Sequence, residues 1–311
     1  MVLTKHKVFR FTFTHFFAIL LTVMFVITVY LQFRLLTEDH CNCPRQEKTV
    51  IQYVAKPKYY ANRNYESNHK LAVLVPYRNR FEELIEFVPY IHDFLSEQKI
   101  NHDIFILNQI DNYRFNRASL INVGYLETKS NYDYIAMHDV DLLPLNKNLT
   151  YSYPRTPFHL AAPTLHPRYH YDKFIGGILL INRDHFGLVN GLSNKYWGWG
   201  LEDDEFYVRL KDANLNVTRP ENISTGTKDT FRHIHGKDRK RDTAKCFNQR
   251  EVTRRRDRQT GLHDVKYKIV SYKSMTIENA PLNLINIELF CDRTITPWCD
   301  CLEEKTAKNK N

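Results

Sequence analysis

The sequence predicts an α/β fold with a mostly parallel sheet, preceded by one N-terminal transmembrane helix. Three observations carry this. Short apolar runs alternate with helix-spaced segments from Leu71 to Met137. Residues 11–33 form an apolar run without formal charge, long enough to cross a bilayer as a helix of roughly 20 residues. The composition, 43% hydrophobic and 13% aromatic over 311 residues, supplies a sizeable core and excludes a disordered chain.

Taken in order, residues 1–10 carry Lys5, Lys7 and Arg10 and read as a cytosolic tail. The span 11–33 exceeds the ~7–15-residue core of a cleavable signal peptide and is followed by no small-x-small cleavage site. The positive-inside bias then leaves the bulk of the chain lumenal. Sequons at Asn148, Asn216 and Asn222 agree with that placement. The compartment oxidises thiols, so Cys246 is expected to pair with Cys291, Cys299 or Cys301, and Cys41 and Cys43 to bridge chains near the membrane. Residues 34–69, polar and without periodicity, read as a stem. Order begins at Leu71–Val75, apolar on both faces as a buried parallel strand is. A helix over Phe81–Gln98, a strand over Asp103–Leu107, a helix over Phe115–Thr128 and a strand over Tyr132–Met137 follow. This alternation describes a nucleotide-binding half. Beyond it, Phe158–Ala162 and Gly177–Ile181 read as strands and Glu202–Asp212 as a helix. The ordered domain is expected over 70–302, with a flexible tail over 303–311.

Three motifs carry chemistry. His138-Asp-Val-Asp141 follows the third strand, and alternation would send Asp139 and Asp141 to one face at a carboxyl end. Two carboxylates there can hold a divalent cation. Phe231-Arg-His-Ile-His235 puts two imidazoles on one face of an extended segment, and with Asp141 they make an N/O donor set that suits manganese or zinc. Trp197-Gly-Trp-Gly-Leu-Glu-Asp-Asp-Glu205 joins aromatic platforms, on which sugar rings stack, to carboxylates that grip hydroxyls or take their protons. Acids opening a helix also cap its free N–H groups, and the two readings are compatible. The net charge of +9 calls for anionic partners, and nucleotide-sugar diphosphates, acidic acceptor proteins and membrane surfaces fit it as well as nucleic acid does. Lys237–Arg258 is strongly basic and reads as a surface loop, either simply solvated or attracting an acidic acceptor polypeptide.

These motifs, in this order, resemble the beta-1,4-galactosyltransferase family. The resemblance is carried by Val75-Pro-Tyr-Arg-Asn-Arg80, Phe115-Asn-Arg-Ala118, Asp139-Val-Asp141, Ile175-Gly-Gly177 and Trp197–Asp204, and covers about residues 70–275. His233-Ile-His235, where lactosamine-making members have Met-x-x-His, points to the xylosylprotein 4-beta-galactosyltransferase branch. The resemblance implies a GT-A glycosyltransferase fold, a single-pass type II Golgi membrane topology, manganese as cofactor, and UDP-galactose and xylosylated core proteins as partners, with no nucleic acid. It also implies roles by position. Asp141, His233 and His235 would ligate the metal. Arg78, Arg80 and Arg117 would handle the uridine diphosphate, with Pro76, Phe115, Asp139, Val140 and Gly177 also lining the nucleotide. Asp203 would be the base, Glu202 and Asp204 would orient sugar hydroxyls, and Trp199, between Gly198 and Gly200, would close over the donor. Tyr77, Phe174 and Leu201 depart from the common Phe, Tyr and Gly, and Phe174 leaves the choice of galactose over N-acetylgalactosamine open. A galactosyl- or N-acetylgalactosaminyltransferase acting on N-acetylglucosamine, a non-catalytic lumenal sugar-binding protein and a metal-dependent phosphoesterase are the rival readings.

Overall fold

The computed structural model describes residues 16–18, 20–30, 32, 68–235, 239–244 and 246–301. Of the expected anchor, residues 16–18, 20–30 and 32 are helical. Among the described residues no helix is long and apolar enough to cross a membrane. The cytosolic tail, most of the stem, Cys41, Cys43 and the tail 303–311 lie outside the described residues.

The remaining chain forms a seven-stranded sheet and a two-stranded ribbon. Strand β1 (Lys70–Tyr77) pairs in parallel with β2 (Asn101–Gln109) and with β3 (Tyr134–His138). Its residues divide between two cores, as a strand covered on both faces must. Leu71, Val73 and Val75 pack with Phe87, Val88 and Ile91 of helix α1 (Phe81–Glu97). Ala72 and Leu74 pack with Leu120, Ile121 and Val123 of α2 (Arg117–Thr128). Helix α2 starts two residues later than expected because the buried Asn116 side chain accepts from Ser119 N and caps it.

The chain then makes β4 (Leu142–Pro144), β5 (Phe158–His159) and β6 (Ile178–Asn182). Strand β5 is shorter than the expected Phe158–Ala162, since Leu160 and Ala161 both turn their N–H groups to Ile178 O. Short α3 (Arg183–Leu188) and α4 (Glu202–Asp212) follow, the latter with the expected bounds. Strand β7 (Phe231–His233) and α5 (Gln249–Thr253) lead to the hairpin β8 (Tyr267–Ile277) and β9 (Ala280–Leu289).

That hairpin was not expected from sequence. Strand β9 pairs in parallel with β2, so the sheet runs β5-β6-β3-β1-β2-β9-β8. The expected parallel core is present within a mixed sheet: the central β3-β1-β2-β9 block is parallel, and both edges are antiparallel. Cys246 pairs with Cys301, and Cys291 with Cys299. The first bond ties the end of the domain to the basic segment.

Candidate active site

The site begins where β3 ends. Because the strand stops at His138, Asp139 and Asp141 do not continue its alternation. This corrects the expectation of two aligned carboxylates on one cation. Asp139 N donates to Gly177 O at 3.0 Å, and its Oδ1 accepts from Arg117 Nε at 2.8 Å. Asp141 instead meets the histidines. Directly after it, β4 pairs antiparallel with β7, setting Leu142 opposite His233 and Pro144 opposite Phe231, and Ile234 N donates to Asp141 O at 2.7 Å. This ribbon joins segments about ninety residues apart.

Asp141 Oδ2 lies 3.5 Å from His233 Nε2 and 3.4 Å from His235 Nδ1. One donor atom from each residue falls within 4.8 Å of the others. The imidazoles stack with centroids 5.3 Å apart. Burial opposes the Asp141 charge, yet the two histidines outweigh it and hold the carboxyl below its usual range. Neighbouring His166 is pushed down to about 3, by burial first and then by His233. A carboxylate and two imidazoles so placed, beside a neutral third ring, fit a divalent first-row cation.

Arg117 links this corner to the acids. Besides Asp139, its guanidinium reaches to 4.0 Å from Glu202 Oε1. Burial works against its charge, but Asp139 and Glu202 overcome this and hold its pKa above the ordinary value. Glu202 Oε2 is buried without a hydrogen-bond partner among the described residues, and burial raises its carboxyl. Asp203 is pushed up to about 8, by burial first and then by Glu202 and Asp204. Its Oδ1 accepts from Asp204 N at 3.1 Å. Its Oδ2 lies where a side chain on Gly176 would intrude, 2.6 Å from an ideal Cβ there. Gly176 was absent from the expected site, although the doubled glycine at 176–177 marks it. Asp204 accepts from the Tyr171 hydroxyl.

Leu201 precedes α4 in the left-handed region, φ 75°. Glycine would sit there without strain, whereas an L side chain costs about 1–2 kcal/mol in that conformation. Trp199 is half exposed, its N–H bonds Asp242 O at 2.9 Å, and Arg241 lies 4.8 Å over its ring. Gly198 N donates to Phe115 O. A side chain at Gly198 would strike Arg114, 2.0 Å from an ideal Cβ. Arg114 is a hub that sequence reasoning missed, bonded to Asp242, Gln249, Trp298 O and Ala244 O. Its partners lie 128 to 184 residues away, so no local pattern reveals it.

The other expected nucleotide-binding residues are placed as follows. Arg78 directs its guanidinium to Gln109 O, Tyr113 O and Asp111 O, which braces the loop after β2. Arg80 occupies the position just before α1 without a side-chain capping bond, and its guanidinium lies 3.4 Å from Glu83 Oε1. Pro76 is buried on β1 opposite Leu107, Val140 is buried beside Asp139, and the Phe115 ring lies 6.0 Å from the Arg78 guanidinium. Gly177 turns with φ 76° and hands its carbonyl to Asp139.

Comparison with known proteins places this geometry. The family model for the N-terminal region of glycosyl transferase group 7 matches residues 29–154, and that for the N-terminal domain of galactosyltransferase matches 156–236. Beta-1,4-galactosyltransferase 7 of Drosophila melanogaster is 63% identical over 76% of this chain and 74% of its own length. Xylosylprotein 4-beta-galactosyltransferase of Caenorhabditis elegans is 52% identical over 75% of this chain and 83% of its own. A crystal structure of a mutant Drosophila beta-1,4-galactosyltransferase 7 with manganese, UDP-Gal and xylobiose is 62% identical and superposes with a TM-score of 0.74, covering 75% of this chain and 99% of that one. The fold is therefore a GT-A-like glycosyltransferase fold with a mixed sheet. By identity over most of both chains, and by motifs kept in order, the chain belongs to the beta-1,4-galactosyltransferase family.

Proposed function

We propose that the chain is a metal-dependent, inverting β-1,4-galactosyltransferase that moves galactose from UDP-galactose to the 4-hydroxyl of xylose on a core protein, the first galactose of a glycosaminoglycan linker. One observation carries the reading: a fitting cation site, Asp141 with His233 and His235, is joined through Asp139 and Arg117 to the carboxylates at Glu202 and Asp203. The relative that binds manganese, UDP-Gal and xylobiose supports manganese, this donor and this acceptor.

When bound, a divalent cation on that triad supplies Lewis acidity toward the departing diphosphate. Asp203 takes the proton from the incoming xylose hydroxyl as that oxygen attacks the anomeric carbon. Its raised pKa makes it a stronger base once ionised, and the Arg117 charge favours ionisation. Attack opposite the leaving group turns an α donor into a β product. Glu202, with one oxygen unsatisfied, is placed to accept a sugar hydroxyl, and Asp204, steadied by Tyr171, to hold another. The exposed Trp199 face offers a stacking platform for a sugar ring.

We propose as well that the domain lies in the Golgi lumen behind a single type II anchor at 11–33, with a cytosolic tail at 1–10, a stem over 34–69 and the catalytic domain over 70–302. Outward-facing apolar side chains such as Phe25 and Val26 in the N-terminal helix, the exposed sequon asparagines and both disulfides support this. The test is a matrix of UDP-galactose and UDP-N-acetylgalactosamine against xylosides and N-acetylglucosaminides, with and without manganese. Turnover is expected with UDP-galactose, xyloside and manganese together. Preference for N-acetylglucosaminides, or turnover unaffected by chelation, overturns the reading.

A further inference from the structure

The basic segment carries charge that the fold leaves unused. Residues 239–258 hold nine Lys and Arg against three Asp and Glu, most of the chain's net charge of +9. Part of this is spent internally. Arg239 clasps Glu82 and Glu83, Arg241 covers Trp199, and Arg256 pairs with Asp212. Asp242 is taken by Arg114 and Asp257 by Lys195. Arg250, Arg254, Arg255 and Arg258 remain exposed, with no ion-pair partner among the described residues. Arg250 and Arg254 lie four apart across α5 and its cap, a like-charge spacing that weakens a helix by itself. A cavity of about 420 Å³ opens among Lys195, Tyr196, Arg255, Arg256 and Arg258.

This surface is stitched to the tryptophan loop. Gln249 Nε2 donates to Trp197 O at 2.6 Å, Tyr196 Oη to Thr253 O at 2.9 Å, and Trp199 N to Asp242 O at 2.9 Å. The tryptophan loop and the segment that carries the unpaired guanidiniums are thus bonded to each other at three points. We propose that Arg254, Arg255 and Arg258, with Arg250, dock a carboxylate-rich polypeptide segment, the part of the acceptor protein that flanks its xylosylated residue. This rests on the galactosyltransferase reading above. Guanidinium forks match carboxylates in bidentate geometry. Strung along the chain from 250 to 258, they suit a run of acidic side chains better than one phosphate.

The test uses the triple variant R254Q/R255Q/R258Q and two peptides differing only by Glu or Gln at the flanking positions. Fluorescence anisotropy with the unglycosylated peptides reads docking without turnover. The wild-type chain is expected to bind the Glu peptide about tenfold more tightly than the Gln peptide at low salt, with the gap closing as salt screens it. The triple variant is expected to lose that preference. With xylosylated peptides, KM for the Glu form should rise about tenfold in the variant while kcat, and KM for a simple xyloside, stay unchanged. Equal binding of both peptides by the wild type, or an unchanged preference in the variant, overturns the proposal. So does arginine-dependent capture by phosphatidylserine vesicles without peptide discrimination. Absence of turnover on every xyloside rejects the galactosyltransferase reading instead, and the anisotropy result still decides docking. Should the triple variant melt early, R254Q and R258Q are read singly in the same way.

Discussion

Replacing Asp203 with Asn should move activity and stability in opposite directions. The folded protein holds this carboxyl at about 8 against an ordinary 3.8, a difference worth at most about 6 kcal/mol. The side chain is only partly buried, so solvent screens the penalty to about 1–3 kcal/mol. Since the folded value is the higher one, the wild type keeps its full stability below pH 4. It loses stability as pH climbs from there through 8, because only the folded state resists ionisation. Asn carries no such penalty, and its side-chain oxygen can still accept from Asp204 N. Thermal unfolding should therefore show little gain at pH 4 and a gain that grows toward pH 8, reaching about 2–12 °C at some 2–4 °C per kcal/mol. Over the same pH range, kcat of the variant should fall about 10²–10⁴-fold, as loss of a general base does. Wild-type kcat/KM should rise with pH as Asp203 ionises. A variant that melts lower than wild type at pH 8, a gain that ignores pH, or retention of more than about a tenth of kcat would refute the reasoning.

Asp141→Ala and His233→Ala should each cut manganese-dependent turnover at least about 100-fold, and calorimetry should show weakened manganese binding with the fold intact by circular dichroism. Gly176→Ala places a methyl against Asp203 Oδ2, so kcat should drop about tenfold or more, given how steeply rate depends on placement, while UDP affinity by titration is spared. Leu201→Gly relieves the left-handed backbone and should raise Tm by about 2–4 °C, a gain of about 1 kcal/mol; a fall in Tm counts against strain at that position.

The chain announces its parts unevenly. Leu71–Val75 is apolar at every position, and only a strand covered on both faces asks for that. The bounds of α4 follow from acids at one end and polar periodicity along it. The His-x-His pair is visible as a motif, but its partnership with Asp141 depends on the β4–β7 pairing, which three short residues on each side do not advertise. Asp139 misled because the strand ends one residue before it. The β8–β9 hairpin escaped because one strand faces solvent along most of its length, so its apolar signal is thin. Its turn was nonetheless marked: Glu278 and Asn279 both adopt positive φ, as a two-residue hairpin turn requires. Arg114 was invisible because its purpose is wholly tertiary.

The cation ligands gather at one end of two short strands that hold each other at three residue pairs, Asp141 just before one, His233 closing the other and His235 just beyond it. Assembly of the ligand set is therefore a property of the whole domain, complete only once chain up to His235 has folded back onto Asp141. A missense change that loosens Pro144 from Phe231 would look biochemically like cofactor deficiency, although every ligand is still encoded. Excess manganese should rescue such a lesion in proportion to concentration, because the ion binds only the zipped arrangement.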